Sequence, residues 1–116
     1  MTKVETIDKR TRVPKKAILD VADQIQKKFN PQKIVLFGSY AKGTPRPESD
    51  VDLLVVMPLS KKPAEQAVEI LNSIEFHFGL DLIVKSTEEL EERLRLGDFF
   101  LRDAVQNGII LYESNC

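Results

Sequence analysis

Two short patterns in the sequence carry residue types suited to phosphate chemistry. An apolar run, Ile34-Val35-Leu36-Phe37, stops at Gly38-Ser39; ten residues later Asp50-Val51-Asp52 opens a second run, Leu53-Leu54-Val55-Val56-Met57. Runs of this kind, bounded by turn residues, read as strands. In a strand alternate side chains share a face, so Asp50 and Asp52 project together, close enough to share divalent cations. Mg²⁺ suits such a pair, because it takes oxygen ligands and is usually held by a few carboxylates plus substrate phosphates. Gly38 lets a phosphate approach the backbone, and Ser39 offers a hydroxyl at the start of a short helix whose free N–H groups favour anions. A triphosphate and its metal would meet between the two strands.

These groups need a frame, and the rest of the chain reads as one. Ile18, Val21, Ala22, Ile25 and Phe29 recur at helical spacing after Pro14, and Asn30-Pro31 ends that helix. Lys33 to Phe37 is a short, apolar and therefore central strand. Ser39 to Lys42 gives one helical turn ended by Gly43, and the loop Thr44 to Ser49, with two prolines, crosses the surface. Asp50 to Met57 is the second strand, closed by Pro58. Pro63 starts an amphipathic helix with Ala64, Ala67, Val68, Leu71, Ile74 and Phe78 on one side and Gly79 past its end. Leu80 to Val84 is a third strand, in which Asp81, an acid among apolar neighbours, needs a partner or a metal. Ser86-Thr87-Glu88-Glu89 has capping-box form; Gly97 breaks that helix and Asp98 caps another, with Phe100, Leu101, Ala104 and Val105 facing inward. Ile109 to Tyr112 is a last short strand or an apolar tail. Helices alternating with short strands indicate an α/β (α+β) fold: one domain, residues 13–113, with a short mixed sheet of about four strands flanked by helices, behind a polar arm, residues 1–12.

Composition bounds the possibilities. A chain of 116 residues, 42% hydrophobic and 30% charged, fits one soluble globular domain that can bury a sizeable core. A formal net charge of -1 lacks the basic excess of a dedicated nucleic-acid binder. The single cysteine, Cys116, is terminal and forms no internal disulfide, and there is neither a signal-peptide h-region nor an apolar run of membrane-spanning length. A cytoplasmic protein is the default expectation. No Gly-Lys-Ser/Thr, no Gly-x-Gly-x-x-Gly and no Cys/His cluster is present, which removes P-loop, dinucleotide-binding and zinc readings.

Taken singly, each pattern has an ordinary reading: Asp-x-Asp as a solvated strand end, Gly-Ser as a generic turn, Arg46 and Lys42 as solvated charges. Tyr40 either stacks on a base or packs behind the turn, and His77, the only histidine, suits a helix end or surface. Together, Gly38-Ser39, ten residues and Asp50-x-Asp52 resemble the signature of the nucleotidyltransferase superfamily that includes DNA polymerase beta. In length and detail the chain is most similar to the minimal nucleotidyltransferase (MNT) proteins, many of them MntA-type antitoxins partnered with HEPN-domain proteins. The resemblance runs from about Ala17 to Tyr112.

That resemblance implies a third carboxylate on the neighbouring strand, and Asp81 matches it. It implies that Asp50, Asp52 and Asp81 are catalytic and hold two Mg²⁺ ions, and that Gly38 and Ser39 hold the β- and γ-phosphates of ATP. It implies transfer of AMP to a hydroxyl of a protein partner, with a HEPN-domain toxin as acceptor and complex partner. After Val84 the chain has few residues for an acceptor domain of its own, which favours a shared acceptor site. Two other readings stay open: a non-catalytic nucleotide-binding module that neutralises its partner by complex formation, and transfer to a small molecule or an RNA end.

Overall fold

The computed structural model describes residues 12–114; the remainder of the polar arm and Cys116 lie outside the described residues. Helix α1 (Lys15–Phe29) follows Pro14, whose extended conformation makes it the residue before the first turn. Its stripe of Ile18, Val21, Ala22 and Ile25 is buried, and it stops where Asn30 adopts a left-handed φ of 50° and Pro31 follows. Strand β1 (Lys33–Phe37) runs into the four-residue helix α2 (Ser39–Lys42), and β2 (Val51–Val56) returns antiparallel to β1. Helix α3 (Pro63–Ser73) then carries the chain over to β3 (Leu80–Lys85), which lies parallel to β2. Helices α4 (Thr87–Arg95) and α5 (Phe99–Asn107) precede β4 (Ile109–Glu113), antiparallel to β1. The sheet order is β3-β2-β1-β4, a mixed sheet with β1 and β2 inside.

Strand alternation divides the core in two. Ile34, Leu36, Val51, Leu53, Val55, Leu82 and Val84 face α1 and α3 and form the larger cluster with Ile25 and Ile70. Val35, Phe37, Leu54 and Val56 point the other way, against Leu101 and Ala104 of α5, with Leu90 and Leu94 of α4 alongside. Among the described residues no helix is long and apolar enough to cross a membrane.

The structure departs from the sequence expectation in two helices. The helix begun at Pro63 does not reach Phe78; it ends at Ser73, and Ile74 turns extended and buries its side chain in the larger cluster. Side chains of α1 hold that exit: Gln24 donates to the Glu75 carbonyl and accepts from its N–H, both at 2.8 Å, and Lys28 donates to the Ser73 carbonyl. Gln66 and Ile70 are the residues buried on α3, whereas Val68 is exposed. In α5 only Leu101 and Ala104 are buried; Phe100 and Val105 are exposed rather than inward. The caps do follow expectation: the Ser86 hydroxyl accepts from Glu89 N–H at 3.1 Å, and the Asp98 carboxylate from Leu101 N–H at 3.0 Å.

Candidate active site

Strand directions bring one end of β1 beside the starts of β2 and β3. Phe37, the last residue of β1, pairs with Asp52, and Asp52 pairs in turn with Asp81. All three share the face of the sheet that carries Leu54 and Val56, since residues two apart in a strand point the same way. Asp50 lies just before β2, where Val51 N–H donates to the Gly79 carbonyl at 2.9 Å and so continues the β2–β3 pairing to this end. The loop entering β2 is closed by Ser49, whose hydroxyl accepts from Arg46 N–H at 2.9 Å while its own N–H donates to the Arg46 carbonyl.

Glycine makes room for both β2 carboxylates. Gly38 has φ 77°, and a Cβ built there would stand 2.2 Å from Asp52 Oδ2. A Cβ on Gly79 would stand 2.1 Å from Asp50 Oδ1. Each acid thus lies against bare backbone, with Ser39 opening α2 directly after the first of these bends. Gly79, read from sequence only as a helix stop, is a second close-approach position; its place one residue ahead of a β-rich run was the available signal.

The electrostatics tie the three acids together. The Asp52 carboxyl is pushed up from 3.8 to about 6, chiefly by burial, then by the negative charges of Asp81 and Asp50. Such a group has lost water without gaining a positive neighbour among the described residues, which fits an all-oxygen donor set for a hard divalent cation. Among the described residues no three acidic, histidine or cysteine side chains close into a ready-made cage, so any cation held here needs further ligands, as Mg²⁺ ordinarily takes from water and phosphate.

Neighbouring candidates are otherwise engaged. Lys42 pairs with Asp103 of α5 at 3.4 Å. The Tyr40 hydroxyl accepts from Val13 N–H at 3.1 Å and its ring packs on the larger cluster, the packing alternative of the two open for it. His77 is exposed in the loop after α3, at a cavity of about 250 Å³ lined by Pro14, Ala17, Val21, Phe76 and Phe78. That cavity is lined from α1 and the segment after α3, and none of Asp50, Asp52 and Asp81 lines it.

A family model, nucleotidyltransferase domain, matches residues 18–111, most of the chain. The chain belongs to the nucleotidyltransferase domain family. It is an enzyme of that class, and its mixed four-stranded fold is that of its structural neighbours. A relative from Methanocaldococcus jannaschii, "Putative protein adenylyltransferase MJ0604", is 29% identical over 101 residues, covering 84% of this nucleotidyltransferase and 96% of the relative. The fold is similar to that of a crystal structure of a "putative nucleotidyltransferase" from Sulfolobus solfataricus, with a TM-score of 0.59, 17% identity, and 97% of this chain and 88% of that one covered. It is also similar to a toxin–antitoxin crystal structure with AMP-PNP, with a TM-score of 0.54, 23% identity, and 83% and 73% covered.

Proposed function

We propose that this nucleotidyltransferase moves AMP from ATP to a hydroxyl of a protein partner, in the manner of an antitoxin that modifies a HEPN-domain toxin. The observation that carries the reading is the half-buried Asp52, raised to about 6 between Asp81 and Asp50 and pressed against the Gly38 bend. A carboxylate so destabilised on its own is stabilised by a cation that also binds phosphate. The protein adenylyltransferase name of the Methanocaldococcus jannaschii relative supports the reaction, and the toxin–antitoxin structure with AMP-PNP supports the nucleotide and the partner class.

Asp50 and Asp52 would hold two Mg²⁺ ions, with Asp81 joining one. Those ions would supply charge neutralisation at the phosphates and a lowered pKa at the acceptor hydroxyl. Gly38 and Ser39 hold the β- and γ-phosphates and orient the triphosphate. Asp81 helps draw the proton from the acceptor hydroxyl. The hydroxyl oxygen attacks the α-phosphorus in line, a new P–O bond forms, the bond to the bridging oxygen breaks, and pyrophosphate leaves with the electron pair.

Incubation of the full chain with the protein encoded beside it, Mg²⁺ and α-labelled ATP should label that partner, and EDTA should abolish the label. Absence of label where a related transferase works would overturn the proposal, and label from γ-labelled ATP alone would make the enzyme a kinase. Neutralisation by complex formation alone has one observation in its favour: Ile109 and Ile110 stand half exposed on the outer strand β4, apolar surface a partner can cover. The double replacement Asp50→Asn and Asp52→Asn separates the two readings. A neutralising module still protects cells from the toxin, and an enzyme does not.

A further inference from the structure

We propose that Phe99 and Phe100, at the start of α5, form the platform on which the base of the bound nucleoside triphosphate stacks. The inference rests on the nucleotide site proposed above and adds to it the part that holds the base. Phe99 is 82% exposed and Phe100 56% exposed, an expensive arrangement for two adjacent phenylalanines unless something covers them.

Their position supplies the covering group. The Phe100 ring meets Phe37 edge-on, with centroids 5.4 Å apart and planes at 90°. Phe37 immediately precedes Gly38 and lies directly across from Asp52 on the same face of the sheet. Phe100 therefore stands one side chain away from both the carboxylates and the glycine bend, with Phe99 next to it at the start of α5. A triphosphate anchored at that end must lead its ribose and base over an adjacent surface. On the opposite face Phe76, Phe78 and Tyr40 are packed against the larger cluster, and Tyr40 also holds Val13. On the carboxylate face Phe100 keeps more than half of its area exposed, and Phe99, its neighbour at the start of α5, is exposed further still. Phe37 beneath is buried and fixes Phe100 in place, so the platform is preformed. Stacking on a phenylalanine ring uses the π-face common to every base, so the platform serves purines generally and does not by itself select adenine.

The chain contains no tryptophan, so Phe99→Trp places a single reporter on the platform. With Mg²⁺ present, ATP should quench its fluorescence and inorganic tripolyphosphate should not, while calorimetry registers both ligands. Equal quenching by the two, or no quenching by ATP at concentrations where calorimetry shows it bound, overturns the platform. If calorimetry shows neither ligand bound, the nucleotide site itself is refuted and the platform with it. In parallel, Phe99→Ala, at a position too exposed to threaten folding, should weaken ATP about tenfold and leave tripolyphosphate unchanged. Phe100→Leu, which keeps the contact with Phe37 apolar, should act in the same direction. Unchanged ATP affinity together with lost labelling of the protein partner would assign the surface to the acceptor and overturn the proposal.

Discussion

The two faces of the sheet are built to different standards. The face toward α1 and α3 is the more deeply packed: Ile25, Ile34, Leu53, Val55 and Ile70 are sealed from water, and even the exit of α3 is held by Gln24 and Lys28. The face toward α4 and α5 is thin. Its core is a small cluster around Leu54 and Leu101, and toward the end of β1 it gives way to three acids and two exposed phenylalanines. Apolar burial is concentrated on the face away from the three acids, so the face that carries them can bear charge repulsion that costs stability.

The largest expected effect tests that trade directly. Asp52→Asn should lower transfer by a hundredfold or more, because it removes the group central to the proposed metal site. The same change should raise Tm. The Asp52 carboxyl sits at about 6 in the folded chain against 3.8 ordinarily, so the folded state holds its proton more tightly than the unfolded one. The penalty for ionising it is fully present above about pH 6 and fades as pH falls from 6 toward 4. Asp52 is partly exposed, so solvent screening reduces the gain from removing its charge to about 1–2 kcal/mol. Thermal melts of both proteins from pH 8 to pH 4 should show the gap closing on the acid side; a constant gap would mean that burial and repulsion are not its cause.

The more deeply packed face supplies the converse. Ile25→Ala should cost about 2–5 kcal/mol of unfolding free energy, since Ile25 is wholly buried among branched side chains, while the fraction that stays folded keeps its nucleotide affinity. Gly38→Ala stands between the two. It forces a Cβ into a φ of 77° and into the Asp52 carboxylate, so it should cost about 1–2 kcal/mol and also disable transfer. Denaturant melts paired with the labelling assay separate these cases. A Gly38→Ala enzyme with full activity would sink the claim that the bend and Asp52 work as one unit.

How far the sequence alone reached follows the same division. Apolar runs and period-3.6 stripes located the three strands that carry or flank the acids and the longer helices, because burial against the core leaves a regular mark, while Ile109 to Tyr112 stayed open between a strand and a tail until its pairing with β1 was seen. The Gly38-Ser39 and Asp50-x-Asp52 patterns were legible because bare backbone and paired acids have few other uses in combination. What escaped was set by tertiary contacts. The helix at Pro63 stops early because Gln24 and Lys28 of α1 hold residues 73–75, and no local pattern encodes that bracket. Phe100 was expected inside from its spacing with Leu101 and Ala104; it edges over Phe37 instead, where the thin second cluster runs out. Gly79 looked like a helix stop, since its closeness to Asp50 exists only once β3 pairs with β2.

The smallest effect belongs to the end of the sheet remote from the acids. There Ser86 caps α4, and the Thr87 hydroxyl donates to the Gln32 side chain at 2.6 Å, joining the start of α4 to the start of β1. Removing the cap with Ser86→Ala leaves the Glu89 N–H without its acceptor and should cost about 1 kcal/mol. Transfer should be unchanged, since the strands run their whole length between this end and Asp52. If Ser86→Ala instead slowed transfer in proportion to its loss of stability, α4 and α5 would move as one lid over the carboxylates. The thin face would then be a mobile element and not merely a lightly packed one, and the contrast between the two faces would be one of dynamics as well as of burial.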